Sequence, residues 1–147
     1  MKKTLIIFLI TFVSSIVQAQ MENPLKEGMP NTVTLSSGEV VYELNGEWDA
    51  VFDNDYLGGS KSVVKITQDG NKFIGIALIE NQNIEKNKEI FNGELEKSGF
   101  KTFNRYVYML DDLKPSSAKI IDGGNKILEE LKTEKHNLTL KMTLTRK

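Results

Sequence analysis

The sequence predicts an all-β fold, an antiparallel up-and-down meander of about eight strands closing into a barrel or half-barrel. Three observations carry this. Short runs that alternate apolar and polar residues recur from Glu39 onward, turn residues separate them, and Gly75 and Gly93 fall inside two of the runs. Consecutive antiparallel strands must hide their edges, and closure removes the edges altogether. Glycine inside a strand marks the bend of a barrel wall. A two-sheet sandwich uses the same alternation and stays open as the alternative.

The first core run, residues 46–52, places Trp48, Ala50 and Phe52 on one face. Residues 62–67 follow, then the turn Gln68-Asp69-Gly70-Asn71. An Asp-Gly pair between β-rich runs predicts a type I′ hairpin, which needs positive φ at both central residues. Residues 72–79 return, a polar loop spans 80–88, and residues 90–95 form the next strand. A second hairpin at Lys97-Ser98-Gly99 leads into residues 100–108. Phe103 and Tyr106 cannot share one face of that strand unless a bulge intervenes.

Asp111-Asp112-Leu113-Lys114-Pro115 reads as a polar link, followed by a strand at 118–121 and the turn Asp122-Gly123-Gly124-Asn125. Residues 126–132 are strong helix formers with apolar side chains at helical spacing. A strand is nevertheless favoured, because Gly-Asn precedes the run and a lone two-turn helix is marginal. The last strand alternates most cleanly, with Leu138, Leu140, Met142 and Leu144 on one face.

The 147 residues divide into three parts. Residues 1–19 read as an export signal: Lys2 and Lys3, an apolar run from Leu5 to Val13, then Val17 and Ala19 before the expected cut. That run is too short to span a bilayer, which needs about twenty apolar residues. Residues 20–38 are polar, hold two of the three prolines, and form a flexible tether or a weak first strand through Val33 and Leu35. Residues 39–147 form the barrel domain.

There is no cysteine. This excludes a thiol-linked lipid anchor and disulfide stapling, and it suits a bacterial periplasmic or secreted protein. Without Lys2 and Lys3 the balance falls from 19 basic against 20 acidic residues to 17 against 20. The bases are interspersed with acids, so nucleic-acid binding and docking on anionic lipid are not expected.

Gly46-x-Trp48, Val63-x-Lys65-Ile66-x-Gln68-x-Gly70 and Phe73-x-Gly75 together resemble the start of lipocalin-like, calycin-type barrels, in particular small exported bacterial ones. The resemblance covers about residues 44–95. It implies that the Trp48 indole lies across a closed barrel floor and that a small apolar ligand occupies the interior. The sequence departs from typical lipocalins in ending on a strand where they carry a helix.

No catalytic set is expected. The sole histidine, His136, lies in a charged turn, and Asp53-Asn54-Asp55 with Gly58-Gly59 lacks the later carboxylates of a calcium loop. Asp111-Asp112 and Glu129-Glu130 read as solvated charge, since strand neighbours point to opposite faces. No cofactor or metal is predicted. Trp48, Phe52, Phe73, Phe91, Tyr106 and Tyr108 are the candidate ligand-lining residues. They serve equally as a solid core, in which case the protein is an interaction or inhibitor module acting through its loops. A hydrolase using carboxylates gathered by the fold is the third reading.

Overall fold

The computed structural model describes residues 25–54, 59–82, 84–133 and 138–147. Residues 1–24, which include the expected export signal, lie outside that set, as do Asp55, Gly58 and His136. The described residues contain no α-helix, and none of them forms a helix long and apolar enough to cross a membrane.

A hairpin of β1 (Thr32–Thr34) and β2 (Val40–Tyr42) precedes nine further strands. These are β3 (Gly46–Asn54), β4 (Ser60–Asp69), β5 (Lys72–Ala77), β6 (Glu89–Glu96), β7 (Gly99–Val107), β8 (Asp112–Pro115), β9 (Ser117–Ile121), β10 (Lys126–Thr133) and β11 (Leu138–Arg146). They form one antiparallel sheet in the order β8-β7-β6-β5-β4-β3-β11-β10-β9, nearly closed into a barrel. The first and last strands of that order are consecutive in the chain. They act as one long strand that crosses the seam, pairing with β7 in its first half and with β10 in its second. At the crossing Ser116 N donates to Phe103 O at 2.9 Å.

The strand register follows from alternation. Trp48, Ala50 and Phe52 of β3 point inward with Val64 and Ile66 of β4 and Met142 and Leu144 of β11. Residues 126–132 are a strand, with Ile127, Glu129 and Leu131 buried and Leu128 and Glu130 on the other face. Two expectations change. The supposed polar link at 111–115 contains β8, whose exposed edge position explains its polar composition. The β4–β5 turn has positive φ at Gly70 alone, so it has glycine at its first central position rather than the type I′ geometry. Of the two readings of residues 20–38, the described part takes the weak first strand, β1, with Val33 and Leu35 packed against the core.

The interior glycines are required by two phenylalanines. On the β5–β6 pair Phe73 stands opposite Gly93, and Gly75 stands opposite Phe91. A Cβ on Gly75 would come within 2.1 Å of the Phe91 ring, and one on Gly93 would lie 2.1 Å from Thr102 O and 2.7 Å from the Phe73 ring. Each glycine therefore makes the floor on which the opposite ring lies. A register shift between Glu94 and Leu95 brings Phe100 onto the same side as Phe103. The four rings stack or tilt against one another at centroid separations of 5.1 to 6.3 Å, the range in which aromatic pairs attract.

Elsewhere in a strand, Gly→Ala is expected to stabilise by about 0.5–1 kcal/mol. Here Gly75→Ala and Gly93→Ala should instead destabilise by about 1–3 kcal/mol through overpacking. The loss should be larger at Gly93, where the blocking atom is backbone. Denaturant titration against Thr143→Ala, expected within about 0.5 kcal/mol of wild type, checks this.

Candidate functional site

The two ends of the barrel differ. At one end Trp48, fully buried, donates its indole N–H to Leu44 O at 3.0 Å. The Arg146 guanidinium lies over the indole, 4.5 Å from the ring centroid, and donates to the carbonyls of Asn45, Glu43 and Gly124. Gln68 holds the chain between β2 and β3, accepting from Leu44 N at 2.7 Å and donating to Tyr42 O at 3.1 Å. Asn31 donates to Gly123 O at 2.8 Å, and Lys97 N to the Glu39 carboxylate at 2.9 Å, so the β1–β2 hairpin is tied across this end. The end is a sealed floor, and the four-phenylalanine cluster packs above it.

The opposite end, where β3, β5, β7 and β10 finish, holds an apolar cleft. Its inner part is a cavity of about 110 Å³ lined by Phe52, Ser60, Ile84, Ile90, Arg105, Tyr106, Val107, Tyr108, Met109 and Leu140. Through Val107, Met109 and Leu140 it joins a groove of about 340 Å³ that also takes in Leu110, Lys114, Pro115, Leu131, Lys132, Thr133 and Leu138. The groove arises where the crossing strand has left β10: β9 stops pairing at Ser117–Glu130, so residues 131–133 and β8 face each other across a gap. The 3-10 turn Tyr108–Leu110 overhangs it, with Met109 71% and Leu110 51% exposed.

Of the sequence-predicted lining residues, Phe52, Tyr106 and Tyr108 border the cavity. Trp48, Phe73 and Phe91 belong to the buried cluster below it. Tyr106 stands at the rim and donates its hydroxyl to Asp111 Oδ1 at 2.6 Å, which also accepts from Lys88 Nζ at 3.3 Å. Lys88 lies over the Tyr106 ring at 4.4 Å. The Tyr106 hydrogen bond, then Lys88, holds the Asp111 carboxyl below its ordinary range. The Asp111 acceptor and partial burial raise the Tyr106 phenol. Leu138 and Leu140 are half-buried here, so the apolar face of β11 divides into a cleft-lining part and, from Met142 on, a core part.

The sequence reading missed one feature of the site. Glu129 and Glu130 do point to opposite faces, but Glu129 is not solvated. Its side chain is fully buried, and its Oε2 accepts from Arg105 Nη1 at 2.8 Å. Arg105 gives no signal in the sequence, because one arginine on a strand carries no pattern. An acid at an inward position flanked by Ile127 and Leu131 is the signal that was available. Burial raises the Glu129 carboxyl above its ordinary range against the pull of Arg105. Glu129 Oε1 and Ser116 Oγ are both buried, and the Ser116 hydroxyl, with Arg105, favours the charged carboxylate.

Among the described residues no three of His, Cys, Asp and Glu gather closely enough to hold a metal ion. No family model, no curated protein and no solved structure matches the chain.

Arg105→Met should destabilise by about 3–5 kcal/mol, because it strands a buried carboxylate, while Arg105→Met/Glu129→Leu should restore most of the loss. The pH dependence has a defined sign. Glu129 binds its proton more tightly folded than unfolded, so its contribution is full below the ordinary carboxyl range and falls as pH rises through the raised folded value. Glu129→Gln should remove that slope from stability measured against pH.

Proposed function

We propose that this chain is an exported, non-enzymatic binding protein of bacterial periplasm or secretions, with a lipocalin-like barrel that holds a small apolar molecule in the cleft at its open end. The observation that carries the reading is the cleft itself. Apolar side chains from Phe52, Ile90, Val107, Met109, Leu131 and Leu140 surround a space that the packing leaves unfilled. Cavity and groove together reach the lower part of the range of about 300–1,000 Å³ in which ligand sites fall. Methionine on the overhang gives the wall an adaptable side chain. The sealed floor and the Gly46-x-Trp48 opening agree with the lipocalin-like resemblance. Export is supported by the charged, apolar and small-residue segments before Gln20 and by the absence of cysteine.

A second reading draws on the exposed Tyr108-Met109-Leu110 turn, which would suit a protein partner covering the cleft. The two readings separate on purification of the protein from its own host. The ligand reading expects a small molecule to travel with the protein in native mass spectrometry, and an environment-sensitive apolar dye to bind saturably at about one per chain. Met109→Ser/Leu140→Asn should weaken the dye about tenfold or more, which corresponds to about 1.4 kcal/mol. Absence of both small molecule and saturable dye binding would leave the interaction module as the better account. Export is tested separately by N-terminal mass analysis of protein recovered outside the cytoplasm. The expected first residue is Gln20, and a start at Met1 would refute it.

A further inference from the structure

Arg105 is the charged side chain that reaches the inner cavity. Its side chain is 9% exposed, and Nη1 is committed to Glu129. The guanidinium lies 5.7 Å from the centroid of the Phe52 ring, a cleft-lining residue. A guanidinium carries five N–H donors. Among the described residues the bond from Nη1 to Glu129 is the side-chain hydrogen bond that Arg105 donates, and its remaining donors are not sealed away but border the cavity. A ligand that displaces water from these donors has to replace it with an acceptor, because a donor left unpaired in an apolar cavity is unfavourable.

Charge decides which acceptor fits. Glu129, with a fully buried side chain, already balances the guanidinium. A carboxylate or phosphate head would place a second anion beside Glu129 with one cation to serve both, in surroundings that shield charge poorly. An ammonium head would meet Arg105 first and would offer donors where acceptors are lacking. A hydroxyl or a ketone or ester carbonyl accepts the spare N–H groups and leaves the charge balance unchanged.

Resting on the reading of the cleft as an apolar-ligand site, we propose that its ligand is an apolar chain ending in an uncharged oxygen head, the head on Arg105 and the chain leaving along the groove past Met109, Leu131 and Leu140. The dimensions agree. At about 30 Å³ per water-sized group, the cavity of about 110 Å³ takes the head and the first few carbons. The rest of the chain lies in the groove, where the wall is open between β8 and β10.

Displacement of the apolar dye by ten-carbon probes that differ only in the head tests this on the full chain. The primary alcohol and the methyl ketone should compete at least about tenfold more tightly than both the terminal alkene and the carboxylate at neutral pH. In Arg105→Met/Glu129→Leu, with folding checked by circular dichroism, the ratio of alcohol to alkene affinity should fall close to one. A carboxylate that binds tightest overturns the proposal, as does a preference for the alcohol that survives in the double variant. Equal displacement by every head leaves the apolar-cleft reading standing and removes the head-group assignment. Failure of every probe to displace the dye removes both.

Discussion

The stack of Arg146 on Trp48 is the contact on which the rest of the barrel depends. Trp48 lies near the start of the first barrel strand, and Arg146 ends the last one, which pairs beside it. A cation over an indole face is attracted by the ring's quadrupole and gains further when water is excluded. The same guanidinium takes three backbone carbonyls from the segment entering β3 and from the turn before β10. One side chain thus joins the two termini of the barrel and satisfies polar groups that closure would otherwise bury unpaired. With the floor sealed in this way, any ligand space lies at the other end.

Above the floor, the interior is shaped by which residues give way. Phe73 and Phe91 each take the space that a side chain would have filled on the opposite strand, so β5 and β6 lie close under two rings. This exchange fills the lower barrel and leaves little freedom to hollow it. Toward the open end the large inward residues thin out to Ala77, Ser62 and Val107, and beyond Glu130 β10 keeps β11 on one edge but has lost the crossing strand on the other. The cleft is the consequence of those two facts together. It combines the two outcomes left open by the alternation pattern, a solid core below and an apolar recess above.

The Arg105–Glu129 pair stands at the boundary between these regions. Two opposite charges buried side by side rarely contribute much stability compared with well-packed apolar residues. Their retention beneath an apolar recess is therefore more informative about what enters the recess than about what holds the fold. The pair adds polarity without net charge, and the proposed ligand class follows from that distinction.

Local pattern was enough to determine the all-β class, most strand positions and the inward face of β3 and β11, because alternation and turn chemistry act between near neighbours. It also located Trp48 and the Phe-x-Gly repeats. What it did not determine depends on contacts across long sequence separations. Whether residues 112–115 pair is decided by the diagonal path of one strand across the seam. Whether Glu129 is solvated is decided by Arg105, 24 residues away and on a strand that is not its hydrogen-bonded neighbour. The role of Arg146 is set by the closure that returns the last strand to the first. A single charged residue carries no periodic signature, so only the tertiary structure shows whether it faces water, a ring or a buried partner.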